Sequence, residues 1–184
     1  MPVGGGVCGR LLEFDGKRPV VGRNVFIDPQ ARVMGDVRIS DDVVVLAFAV
    51  LRGDDDSVSI GRGSVILEHS LLEAPRGHPV VVGDNVLVSH GAIVHGARVG
   101  SGSLIGIGAR VLDGAVVGEN SIVAAGALVP PGKTVPPNTL VVGVPARPLR
   151  SVTMEDLARA REELMAVHRK ARVYARIFGC SLDG

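Results

Sequence analysis

The chain has 184 residues, a formal net charge of +1, and a hydrophobic fraction of 46% of which very little is aromatic, 3% of the whole. A charge this close to zero gives no general attraction to nucleic acid or to an acidic membrane surface, and no apolar run approaches the roughly 20 residues needed to span a bilayer. We therefore expect a soluble, cytoplasmic chain of one domain with an appendage, its core built from Val, Ile, Leu and Ala in thin layers.

Residues 1–20 read as an N-terminal segment. The run Gly4 to Gly6 lacks the basic start and apolar stretch of a signal peptide. Nor does it lie between a strand and a helix, as a phosphate loop would. Cys8 and Cys180 lie near opposite ends of the chain. In a reducing cytosol they are expected as free thiols; the alternative is a bridge tying the N-terminal segment to the C-terminal helix.

From Val21 to about Ala146 an aliphatic residue returns every six positions. The first run is Val21, Ile27, Val33, Ile39, Val45 and Leu51, followed by Ile60, Ile66 and Leu72, then Val82, Val88 and Val94. Val99, Ile105, Val111, Val117, Val123, Val129, Val135 and Val141 complete it. The fourth residue after each aliphatic is usually small, as at Ala31, Ala49, Ser70, Ala92 and Ala109. A six-residue period is neither the 3.6 of a helix nor the 2 of a strand. Each hexad instead suits one short strand and a sharp corner, and three hexads make a triangular coil. Successive coils stack as parallel strands about 4.8 Å apart, which is a parallel β-helix. Twenty hexads predict about seven coils over residues 21–146.

Three places break the phase, and these are expected as loops or corners. Gly53 to Ser59 adds three residues, Ala74 to Val81 adds four, and the hexad at Val94 is one short. Past Ala146 the pattern changes, and residues 147–184 read as an exit segment and a helix packing on the β-helix. Thr153 with Asp156 is an N-cap signal. Leu157, Ala160, Leu164, Val167, Ala171, Tyr174 and Ile177 form one apolar stripe on a helix of about 25 residues, ended at Gly179. His168 and the cluster Arg169, Lys170, Arg172 and Arg176 are expected on the solvated side.

The phase count also aligns polar residues. Arg52, Glu73 and His95 each follow the aliphatic of their hexad, and those aliphatics are one coil apart. The three should form a ladder on one outer face, about 5 Å apart at Cα. His90 falls on the preceding hexad and faces outward from another prism face; it does not easily complete the Glu73–His95 pair within one chain but could do so from a second chain packed against that face. His78 lies in the loop before Pro79.

The segment VLRGD at Val50 to Asp54, SHGAIVHGARVG at Ser89 to Gly100, and the later AGALVPPGKTVP and VVGVPA resemble the gamma-class carbonic anhydrases and their ferripyochelin-binding-protein-like relatives. The resemblance covers residues 10 to about 170. It implies a left-handed coil, so the fold class expected is mainly β, a left-handed parallel β-helix with a C-terminal α-helix. It also implies a homotrimer with inter-subunit metal sites and zinc-hydroxide attack on CO2 to give bicarbonate. In that family three histidines hold the metal, two from one subunit and one from its neighbour. His95 matches the former, His90 the latter, and the remaining position holds Glu73.

Two His and one Glu form a recognised zinc set and resemble the set used for Fe(II). The cofactor expected is zinc or another divalent metal such as Fe(II) or Co(II), or none if Glu73 is only the salt-bridge partner of Arg52. A carboxylate in place of an imidazole adds a negative charge and opposes formation of a hydroxide near neutral pH, so CO2 hydration is expected to be weak or lost. Where the family often carries Asn-Ile-Gln-Asp, this chain has Val65, Ile66, Leu67 and Glu68. Arg52 with Asp54 resembles the family's intersubunit ion pair. Two other functions remain open. One is an acyl-CoA-using acyltransferase or thioesterase with His78 as general base; the other is a non-catalytic trimeric assembly module.

Overall fold

The computed structural model describes residues 7–180 and 182. The hexads form a parallel β-helix with three faces. On the first face Leu11, Val33, Leu51, Leu72, Val94, Val111 and Val129 stack in register. On the second the column is Val21, Ile39, Ile60, Val82, Val99, Val117 and Val135. On the third it is Ile27, Val45, Ile66, Val88, Ile105, Val123 and Val141. Each face thus has seven rungs among the described residues. The columns and the small residues at the corners form one continuous core. Where the corner residue is serine it stays buried because its hydroxyl reaches a carbonyl of the next coil: Ser64 donates to Gly83 O at 2.7 Å and Ser70 to Ser89 O at 2.9 Å.

The first rung lies before the hexad run. Leu11–Leu12 pairs with Val33–Met34, so the N-terminal segment supplies a strand. The first phase break is also not a loop. Gly53 to Ser59 lies inside a strand of 11 residues, Val50–Ile60, that bends round from the first face to the second. It pairs with Arg32–Ile39, and the register shift between Gly35 and Val37 absorbs the unequal length. Within the bend the Asp56 amide donates to Ala74 O of the following coil at 3.0 Å, a backbone hydrogen bond that a free loop would forfeit.

The second break does form a loop. It follows Leu71–Glu73 and lies down over the corner at Gly96. A Cβ at Gly96 would meet His78 Cβ at 2.8 Å, Pro75 Cγ at 3.2 Å and Asp113 Oδ1 at 3.2 Å, and Gly96 sits at φ +56°. Only glycine combines that backbone with so close an approach. Asp56 in the bent strand secures the loop by accepting the Gly77 amide at 3.1 Å.

The helix, α1, spans Met154–Phe178 and packs on the third face. Thr153 and Asp156 form a reciprocal capping box, and Gly179 ends the helix in the left-handed conformation. Leu164, Val167, Ala171 and Ala175 are buried against Phe26, Val44, Val65, Leu67 and Leu87. Ala175 takes the place expected for Ile177, which is exposed. His168 departs from expectation too: it is half-buried, and its Nε2 lies 3.0 Å from Gly63 O.

Twenty-five helical residues extend about 37 Å, whereas seven rungs span roughly 29 Å. The helix therefore returns along the whole face to the first coil, where Tyr174 and Phe178 lie 6.1 and 6.5 Å from the Phe26 ring. Cys8 and Cys180 meet there and are bonded, their Cα atoms 5.6 Å apart and inside the disulfide range. The free-thiol expectation is thereby corrected. Helix length against coil height brings the two ends together, and the hexad repeat alone does not carry that information.

Two expectations follow. Gly96→Ala forces alanine into a left-handed conformation costing about 1–2 kcal/mol and pushes against His78; a melting temperature lower by several degrees, with the Ala74 to Val81 loop newly open to protease, is the expected result. Asp156 is held well below the usual carboxylate range, chiefly by Arg150 and then by the Thr153 backbone and hydroxyl. A carboxylate depressed on folding contributes stability above its unfolded pKa and loses it as pH falls through the folded value. Asp156→Asn should therefore melt below wild type at neutral pH, with the gap closing as pH drops below about 4.

Candidate functional site

The register sets the ladder. Leu51 pairs with Leu72 and Leu72 with Val94, so Arg52 lies beside Glu73 and Glu73 beside His95 on the outside of the first face. The side chains form a continuous row of polar contacts. Arg52 Nε lies 3.1 Å from Asp54 Oδ2, and its Nη2 contacts Glu73 Oε1. His95 Nε2 is 3.8 Å from that same Glu73 oxygen, while its Nδ1 contacts Asp113 Oδ1. Glu73 is the most enclosed of the group, its side chain 17% exposed. Arg52 and Asp54 thus pair within one chain here.

His90 stands apart, at the corner between the third and first faces. Ile66 pairs with Val88, so Glu68 is its direct neighbour one coil back. His90 Nδ1 lies 2.8 Å from Glu68 Oε2, off the line of a hydrogen bond, and that oxygen has no hydrogen-bond partner among the described residues. The next residue in this corner is Phe48, His69 or Gly91 in successive coils. Phe48 and His69 adopt left-handed backbones at φ 61° and 62°, a conformation that is unusual for phenylalanine and less so for histidine, and their rings stack at 5.1 Å. Within one chain, among the described residues, no three His, Cys, Asp or Glu side chains converge on a point that a metal ion would take. The sequence likewise expected the third group from a second chain.

The other positions fall elsewhere. His78 is exposed on the loop over Gly96 and Gly114, with its backbone amide donating to Pro75 O at 2.9 Å. Val65 and Leu67, expected from the resemblance to stand where polar residues assist the site, are buried. They point out of the third face into the apolar cluster beneath the helix, where an amide side chain would be unpaired, so they serve packing.

The residues present suit a divalent metal in one specific respect. A ligating histidine ordinarily gives its second ring nitrogen to a carboxylate or carbonyl, which orients the ring. His95 has a carboxylate at Nδ1 and turns Nε2 toward Glu73, and His90 has a carboxylate oxygen near Nδ1. Arg52 is the counterweight, since it already engages Glu73 and sets a positive charge beside any cation.

Asp113 was not apparent from the hexad count, because the residue in register with His95 is Leu112 and Asp113 lies one place beyond. Glu68 lies directly in phase with His90, so the same count applied to His90 finds it.

Comparison with known proteins adds the lineage. The family model "Bacterial transferase hexapeptide (six repeats)" matches residues 18–53 and 96–131. A probable carbonic anhydrase of Methanocaldococcus jannaschii is 42% identical over 146 residues, which are 79% of this chain and 92% of that protein. The mitochondrial gamma carbonic anhydrase 1 of Arabidopsis thaliana is 40% identical over 88 residues, 45% of this chain, and the match spans only 32% of its length. Among solved structures, a putative acetyltransferase of Bacillus cereus superposes with a TM-score of 0.88 at 30% identity, covering 91% of this chain and 97% of that one. By the extent and identity of the archaeal match, this chain belongs to the gamma-carbonic-anhydrase-like family of hexapeptide-repeat proteins.

Proposed function

We propose that the protein is a metal-binding homotrimer of the gamma-carbonic-anhydrase type, with Glu73 and His95 of one subunit and His90 of its neighbour as ligands, and with CO2 hydration weak or lost. The observation that carries the reading is the placement of His95: Nε2 is 3.8 Å from Glu73 Oε1, and Nδ1 is taken by Asp113. A divalent metal at this point supplies the Lewis acidity that makes water a nucleophile near neutral pH. The chain's own residues set how well that works. Glu73 brings a full negative charge where the family has a neutral imidazole, and Asp113 adds another beside His95, so the site draws electrons toward the metal and blunts its acidity. Arg52 anchors the Glu73 carboxylate and keeps it on the first face, at the expense of its freedom to turn. Val65 and Leu67 offer no hydrogen bond to a substrate.

A second reading is favoured by the likeness to a named acetyltransferase together with the position of His78, an exposed histidine on a loop over a surface corner. It makes the protein an acyl-CoA-using enzyme with His78 as general base. Coenzyme A binding abolished by His78→Ala, or turnover of a thioester panel, would replace the first reading with this one. A trimer indifferent to every change at His90 and His95 would be an assembly module.

The test is elemental analysis and CO2 hydration on purified wild type beside Glu73→His and His95→Ala. We expect close to one divalent metal per subunit in wild type and loss of it in His95→Ala. Glu73→His should raise hydration at least tenfold, because it restores a neutral ligand. Metal-free wild type that stays metal-free and inactive after Glu73→His would contradict the proposal.

A further inference from the structure

We infer that Asp113 and Glu68 are positioning residues that fix the proton of His95 and of His90 on Nδ1 and so leave both Nε2 atoms bare. The inference rests on the metal reading above and adds to it the groups that prepare the ligands. A neutral imidazole carries one N–H, and an ionised carboxylate only accepts. Asp113 Oδ1 contacts His95 Nδ1, so in the neutral ring that nitrogen holds the proton. The unprotonated Nε2 then looks toward Glu73, 3.8 Å away. At the other corner Glu68 Oε2 is buried without a hydrogen-bond partner among the described residues, and His90 Nδ1 lies 2.8 Å from it. A small turn of the ring aligns the pair, satisfies the oxygen and presents Nε2 outward.

The two carboxylates reach their histidines by different routes. Glu68 is the rung neighbour of His90, carried there by the stacking of Ile66 on Val88. Asp113 comes from one residue past the neighbour of His95, at the corner where Gly96, lacking a side chain, leaves room for it. Both histidines thus meet the same chemical arrangement on different corners of the prism. It is the one that sets tautomer and ring orientation in metal sites, where loss of the outer carboxylate lowers metal affinity about 10–100-fold.

The experiment is long-range proton–nitrogen correlation on histidine-labelled, metal-free protein above the imidazole titration range, paired with zinc affinity from competition with a chromophoric chelator. Wild type should show His95 and His90 in the Nδ1–H form. Asp113→Ala should move only His95 toward Nε2–H, and Glu68→Ala only His90. Each variant should weaken zinc binding about 10–100-fold, and Asp113→Glu should recover part of the loss. Because the tautomers are read without metal, the two proposals fail separately. An Nε2–H form in wild type, or rings that ignore both variants, overturns the positioning role whatever the metal does. Rings that answer the variants in a protein that takes up no zinc uphold the positioning role and contradict the metal reading instead.

Discussion

Everything in this molecule depends on one aliphatic side chain lying on another one coil away. The columns through Leu51, Leu72 and Val94, through Ile60, Val82 and Val99, and through Ile66, Val88 and Ile105 are buried and stacked in one register. A strand displaced by one residue would turn its aliphatic outward and its polar neighbour inward. Extra residues must therefore be absorbed without moving the columns. The chain does this by bending a long strand round a corner at Gly53 to Ser59 and by laying a loop across Gly96. The same constraint makes the site, because residues 52, 73 and 95 become neighbours only through the stacking of the aliphatics that precede them.

On that frame the polar side chains settle into one contact row: Asp54, Arg52, Glu73, His95, Asp113. Glu73 is held between a guanidinium and an imidazole. A neutral imidazole next to Arg52 would need no counterion, whereas a carboxylate draws the guanidinium onto itself. A carboxylate at this position thus brings both a negative charge for the proposed metal and a competitor for that charge. The balance between metal and Arg52 at Glu73 is what the proposed loss of catalytic power turns on.

The parts of this structure set by period were legible from the residues. The three columns, the ladder of Arg52, Glu73 and His95, the Thr153–Asp156 cap and the stop at Gly179 each follow from spacing and residue type. What spacing misses is whatever depends on side-chain reach or overall dimensions. Asp113 touches His95 diagonally, across the shortened hexad. The Cys8–Cys180 bond depends on helix length against coil height, and the half-buried His168 on how close the helix lies to Gly63. Phe48 at a left-handed corner runs against residue preference, and the stacking of its ring on His69 accompanies that exception. The second face of the helix, with Ala175 rather than Ile177 inside, turns on a rotation that a stripe of apolar residues leaves undetermined.

The central claim is that a metal joins Glu73 and His95 to His90 of a second copy. Anomalous diffraction at the zinc edge from crystals grown with zinc tests it most directly. The account predicts one peak per subunit interface, within coordination distance of Glu73, of His95 Nε2 and of the neighbouring copy's His90 Nε2. Zinc bound elsewhere, or an empty interface in which Glu73 contacts Arg52 alone, would contradict it.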